Sequence, residues 1–77
     1  MQAIVSGETP FKCLKNTVAI GPTSQGFVLN YAVSKDGPWT QYTESTPADE
    51  CCIINGLTPY MWLKLENNVD EATEIIL

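Results

Sequence analysis

The sequence predicts an all-β fold, a small β-sandwich of about seven short strands. Three observations predict it. Short β-prone segments recur at regular spacing along the 77 residues, turn signals rich in Gly, Pro and Asn separate them, and no window holds a convincing amphipathic helix. The length allows one domain, residues 1–77. A chain of this size buries only about 60% of the surface it exposes when unfolded, so its own core is marginal. Disulfides, a metal or association with other chains are the usual supplements.

Each element follows in order. "AIVS" (3–6) is short and β-prone, and "FKCLKNTVAI" (11–20) is a longer β-rich run that ends at the breaker "GPTSQG" (21–26). In "FVLNYAVS" (27–34) Phe27, Leu29, Tyr31 and Val33 share one face, an apolar face directed at a core. "KDGP" (35–38) supplies a turn, with Asp36-Gly37 suited to positive φ and Pro38 unable to donate to a ladder. "WTQYTES" (39–45) returns as the partner strand, "TPAD" (46–49) connects, and "ECCIIN" (50–55) reads as a buried strand closed by Asn55-Gly56. "YMWLKLEN" (60–67) alternates, with Met61, Leu63 and Leu65 on one face and Tyr60, Trp62, Lys64 and Glu66 on the other. "NNVDEA" (67–72) turns the chain into a last strand, "TEIIL" (73–77).

Composition excludes several functions. Nine acids and four bases give a net charge of −5, and all four bases are lysines (Lys12, Lys15, Lys35, Lys64). Nucleic-acid binding needs clustered cations and commonly the arginine fork, so no nucleic-acid partner is expected. With no histidine in the chain, the commonest general base and the Ser/His and Cys/His nucleophile pairs are missing. The carboxylate pairs Asp49/Glu50 and Asp70/Glu71 are sequence neighbours that diverge in extended backbone, and Asp36 and Glu44 flank the hairpin as solvated acids. Phosphate-binding glycine patterns and a calcium-loop frame are absent, so neither enzyme activity nor a cofactor is expected. Cys13, Cys51 and Cys52 are an odd number, which favours free thiols, and adjacent Cys51 and Cys52 point to opposite faces of a strand. "MQAIVSGETPF" has no basic start and no apolar run, and no stretch is long enough to span a membrane. The expectation is a soluble chain made in a reducing cytoplasm without a signal peptide.

Two groups of residues are candidates for contact. Trp39 and Tyr42 follow the hairpin turn, and Tyr60 and Trp62 share a strand face; on one sheet face they would form an aromatic platform, of use to a protein interface or a stacked sugar. Otherwise these aromatics fill the core. Ile75, Ile76 and Leu77 form a consecutive apolar run, and alternation sends Ile76 opposite to the other two, so both faces need cover. Either this strand is central in its sheet, or it is an edge that another subunit covers.

"LNYAVSKDGPWTQY" with "IINGLTPYMWLKLEN" resembles a fibronectin type III or immunoglobulin-like module, in which a Y-x-V-S-x-D-G-x-W strand is followed by an L-x-P turn, here Leu57 and Pro59. The chain is shorter than such a module and lacks its early core tryptophan. Over most of its length it is also similar to small all-β accessory proteins of tailed phages, the capsid decoration and head-fibre base domains. There a "GFxLxxSxDGxxWTxYxxxxPADxxxIxNG" run recurs, here Gly26 to Gly56 with Pro38 as a departure. The resemblances imply an immunoglobulin/fibronectin III-like or jelly-roll-like sandwich. The phage resemblance further implies a non-enzymatic structural protein at a bacteriophage virion surface that self-associates, a trimer favoured, with a major capsid protein as a second partner. Trp39, Tyr42, Tyr60, Trp62, Ile75, Ile76 and Leu77 are the expected interface, through β-edge and aromatic contacts. The alternative is a carbohydrate- or receptor-binding module that uses the same aromatics.

Overall fold

A computed structural model describes residues 2–68 and 71–77 of the chain. Among the described residues there are eight strands: β1 (Gln2–Ser6), β2 (Phe11–Lys12), β3 (Val18–Ile20), β4 (Val28–Ala32), β5 (Thr40–Gln41), β6 (Cys52–Ile54), β7 (Trp62–Glu66) and β8 (Ala72–Ile76). They form two antiparallel four-stranded sheets, β1-β8-β3-β6 (the first sheet) and β2-β7-β4-β5 (the second). The small all-β sandwich read from the sequence is therefore the fold, with eight strands rather than about seven.

The strand order separates the two sandwich types that the sequence leaves open. β1 pairs with β8, β2 with β7, β3 with β6 and β4 with β5, so the four pairings nest inside one another like a single long hairpin. Wrapping that hairpin brings β3 beside β8 and β4 beside β7 and closes each sheet. This is the double-sheet, jelly-roll arrangement of eight antiparallel strands and not the immunoglobulin one.

The core lies between the sheets. Val5, Val18, Ile20 and Ile75 come from the first sheet, and Phe11, Leu29, Leu63 and Leu65 from the second. Phe27, Cys13 and Leu57 fill it from the connections. Alternation explains most of this: Leu29 and Tyr31 face Leu65 and Leu63 across β4 and β7, and Met61 packs on the same side.

Several expectations are corrected. The run 11–20 is two strands in different sheets, because the chain leaves β2 at Cys13 and crosses layers through Leu14–Thr17. Val33 is 79% exposed, since β4 ends at Ala32 and the backbone bends into the turn before Val33 can reach the core. In that turn the Gly37 N–H donates to the Ser34 carbonyl (3.1 Å) and Gly37 has φ +89°. The return strand is only Thr40–Gln41, because both Tyr42 and Thr43 donate their N–H groups to the Leu29 carbonyl (2.7 and 3.3 Å), a β-bulge that ends regular pairing. Beyond it threonine hydroxyls stand in for backbone: Leu29 N–H donates to Thr43 Oγ1 (3.3 Å) and Phe27 N–H to Thr46 Oγ1 (2.9 Å). Tyr60 has φ +68° and belongs to a turn, not to the strand it precedes. Most consequential, β8 is interior, paired on both sides, so it is no edge for another subunit to extend.

The loops are anchored by a few polar groups. Asn68, buried, donates through Nδ2 to the Gly7 carbonyl (3.2 Å) and to Thr73 Oγ1 (3.0 Å), which holds the end of β7 to the start of β8 across the sandwich. Gly26 is buried at φ +73°, and a Cβ there would collide with the Thr46 carbonyl oxygen. Thr23 is buried with its hydroxyl unpartnered among the described residues.

Two substitutions test this account. Gly26→Ala should cost more than the about 1–2 kcal/mol of left-handed backbone alone, because the backbone at Thr46 must also retreat; a urea unfolding midpoint close to wild type would contradict it. Thr23→Val replaces an unsatisfied hydroxyl by a methyl and should stabilise by about 1 kcal/mol, a Tm rise of about 4–8 °C for a domain of this size. Calorimetry that found a lower Tm would show that the hydroxyl does have a partner.

Candidate functional site

The jelly roll leaves two outward sheet faces, and their chemistry differs. On the second sheet, alternation directs Val28, Asn30 and Ala32 outward from β4, with Trp62, Lys64 and Glu66 as their direct partners on β7. Lys12 pairs with Trp62, and Gln41 with Asn30. Continuing the β4–β5 register one step past the Tyr31–Thr40 pair brings Trp39 opposite Ala32. The backbone positions of Trp39, Ala32, Trp62 and Lys12 therefore lie in one row, those of Trp39 and Trp62 about 9–10 Å apart, twice the strand spacing. Ala32 is only 3% exposed although it faces outward, since the large neighbours on either side close over it.

Both lysines of this face are held against indoles. Lys64 Nζ lies 4.8 Å from the centroid of the Trp39 ring and Lys12 Nζ 5.4 Å from that of Trp62. Each contact contributes about 0.5–1 kcal/mol at an exposed site and keeps the ammonium groups on the sheet face. The acid on this face is Glu66, whose Oε2 accepts a hydrogen bond from Asn30 Nδ2 (2.7 Å). The surface is thus aromatic and cationic.

The outer face of the first sheet is apolar. Ile76 pairs with Gln2 on one side and Ala19 on the other, and Ala19 pairs in turn with Ile53. Ile4 pairs with Glu74, in the next outward row. Ile4, Ile53 and Ile76 are 70%, 70% and 56% exposed, three large apolar side chains on one side of the molecule. Small Ala19 and Gly21 leave a shallow open groove of about 250 Å³ between Ile76 and Glu74 on one flank and Ile53 and Cys51 on the other. Glu74 is the charged residue within the strands of this sheet.

The residues singled out from the sequence divide accordingly. Trp39 and Trp62 do share a face. Tyr42 does not join them: its ring meets Tyr31 edge-on (centroids 5.8 Å apart) and its hydroxyl donates to the Asn55 carbonyl (3.0 Å), tying the bulge after β5 to the loop after β6. Gly56 leaves space for that approach, since a Cβ there would lie 3.3 Å from the Tyr42 oxygen. Tyr60 is exposed on a turn outside β7. Ile75 is core, Leu77 is partly buried against the core, and Ile76 faces outward. Sequence reasoning missed Ile4 and Ile53. The period-2 pattern of "QAIVS" and "CII" was the available signal, but it does not say which side is covered.

The carboxylates stand as surface and loop groups. Glu71 accepts from Ser24 N–H and Oγ, and Glu8 Oε2 accepts from Asn67 N–H (2.7 Å). Asp49 and Glu50 are exposed, and Asp70 lies outside the described residues. Among the described residues no group of three or more Cys, Asp or Glu is placed to hold a metal ion. The three cysteines are free: Cys13 is fully buried, with Sγ–H directed at the Thr58 carbonyl (3.1 Å), Cys52 is half-buried against the core, and Cys51 is exposed at the groove.

That placement sets the thiol chemistry of the native protein. One thiol per chain, Cys51, should react rapidly with a disulfide reagent such as DTNB, Cys52 more slowly, and Cys13 only in denaturant. Rapid release of three equivalents without denaturant would contradict the buried position of Cys13. No family model matches the chain, and no curated protein or solved structure is significantly similar to it.

Proposed function

We propose that this chain is a non-enzymatic structural protein that self-associates, a bacteriophage virion component of the capsid-decoration or head-fibre kind. One observation carries the reading: the isoleucines Ile4, Ile53 and Ile76 stand exposed together on the outer face of the first sheet, beside a groove floored by Ala19 and Gly21. Isolated exposed apolar residues are ordinary, but a contiguous apolar patch on a small protein marks a contact surface. The marginal core of a 77-residue domain gives association a second purpose, because area removed from water in an interface supplements what the fold buries alone. Contact is through a sheet face and not through the C-terminal strand edge, which β1 and β3 already occupy.

The virion assignment rests on the sequence resemblance from Gly26 to Gly56. The jelly-roll order accords with it, since capsid proteins use this arrangement, but lectins use it too and a fold by itself names no function. The second reading is a carbohydrate- or receptor-binding module, favoured by the row of Trp39 and Trp62. Against a neutral sugar, an ammonium group already lies over each indole.

Light scattering of the reduced protein across a concentration series tests self-association. Wild type should exceed the 8.5 kDa of one chain, and Ile53→Glu, which puts a charge in the patch without touching the core, should return it to that mass. A wild-type chain that stays at one copy at the highest concentration would overturn the proposal.

A further inference from the structure

We infer that the two outward sheet faces are the two halves of one contact: the apolar face of the first sheet in one copy receives the Trp39–Trp62 face of the second sheet in the next. The inference rests on the self-association proposed above and specifies how the copies meet.

Charge is the first argument. Each face carries an excess of one sign, cationic on the second sheet, where Lys12 and Lys64 outnumber Glu66, and anionic on the first, where Glu74 stands alone in the strands. Two second-sheet faces in symmetric contact would gather four lysines and only two acids, the Glu66 of each chain, and two first-sheet faces would gather two Glu74 carboxylates with no strand cation between them in an apolar, water-poor contact. Like charges brought together in that setting are strongly disfavoured. The unlike pairing places Glu74 among the two lysines, which the indoles already hold on the face.

Shape and side-chain chemistry give the second argument. The first sheet presents a hollow, made where Ala19 and Gly21 withhold bulk between Ile53 and Ile76. The second sheet presents bulk, two half-buried tryptophans raised on either side of Ala32. A groove of about 250 Å³ lies below the about 300–1,000 Å³ of small-molecule sites, but it suits insertion of a single large side chain. Tryptophan is among the residues that most often dominate such contacts.

Symmetry then follows. A contact between two different surfaces of the same chain is heterologous and repeats head to tail. The two faces point in opposite directions from one sandwich, so successive copies stack and the series stays open instead of closing on three. The mass should therefore rise continuously with concentration, without a plateau at a trimer.

The test uses one variant for each surface. Ile53→Glu blocks the first-sheet face and Trp62→Glu the second; Lys12→Glu/Lys64→Glu is an independent block of the second face, needed in case Trp62→Glu does not fold by circular dichroism. Each blocked chain alone should stay at one copy. An equimolar mixture of a first-face and a second-face variant should form a 1:1 dimer and nothing larger, because only one good surface remains on each. If a folded second-face variant still associates as wild type does, or if wild type plateaus at three copies, this pairing is overturned while self-association stands. A mixture of the blocked chains that remains monomeric overturns the pairing too. A wild-type chain that never leaves the monomer overturns both.

Discussion

Nested antiparallel pairing is the constraint on which everything else depends. The innermost pair, β4 with β5, is local and turns at Ser34–Gly37. Each pair outside it spans more chain, until Gln2 lies opposite Ile76. A slip of one residue in any of these pairs would exchange that strand's core side chains for outward ones. The devices that hold the hub are correspondingly specific: the φ +89° of Gly37, the bulge on the Leu29 carbonyl, and the Thr43 and Thr46 hydroxyls that take over where carbonyls can no longer reach. Such a dominance of distant contacts is the condition under which folding is slow relative to helical domains of equal size.

From that pairing follows the asymmetry of the surface. Inner rows of both sheets converge on the same apolar core, but the outer rows face nothing within the chain and are free to differ. The first sheet has isoleucine, alanine and glycine outward, with Glu74; the second has tryptophan and lysine. The cation–π contacts matter here less for stability than for place, since a lysine lying on an indole holds its charge at the sheet surface instead of in bulk water.

Much of this was legible in the residues, and the part that was not has a physical cause. Alternation alone placed Leu29, Leu63 and Leu65 inward and Trp62 and Lys64 outward, and "KDGP" marked the central turn. Layer assignment is a different matter. "FKCLKNTVAI" keeps its β character while the chain crosses from one sheet to the other, because crossing needs only a few irregular residues and no change of composition. Tyr60 carries no sign of its left-handed backbone, which is imposed by the ladder between Cys13 and the residues after it, Tyr60 N–H donating to the Cys13 carbonyl and Cys13 N–H to that of Met61. The common face of Trp39 and Trp62 depends on β4 standing between their two strands, a tertiary fact. So does the interior position of β8, which turned an apparent sticky edge into a central strand and moved the exposed apolar surface to Ile4, Ile53 and Ile76.

The pairing of Gln2 with Ile76 has a geometric consequence for anything attached to this unit. Opposed residues of an antiparallel pair sit about 5 Å apart, so the two ends of the folded unit leave from the same margin of the same sheet, side by side. Polypeptide entering before β1 and leaving after β8 would do so through a gap no wider than a tight turn. The unit could be spliced into a surface loop of another protein with little distortion of either partner, the junction lying at the Gln2–Ile76 margin of the first sheet and the Trp39–Trp62 face of the second sheet lying on the opposite side.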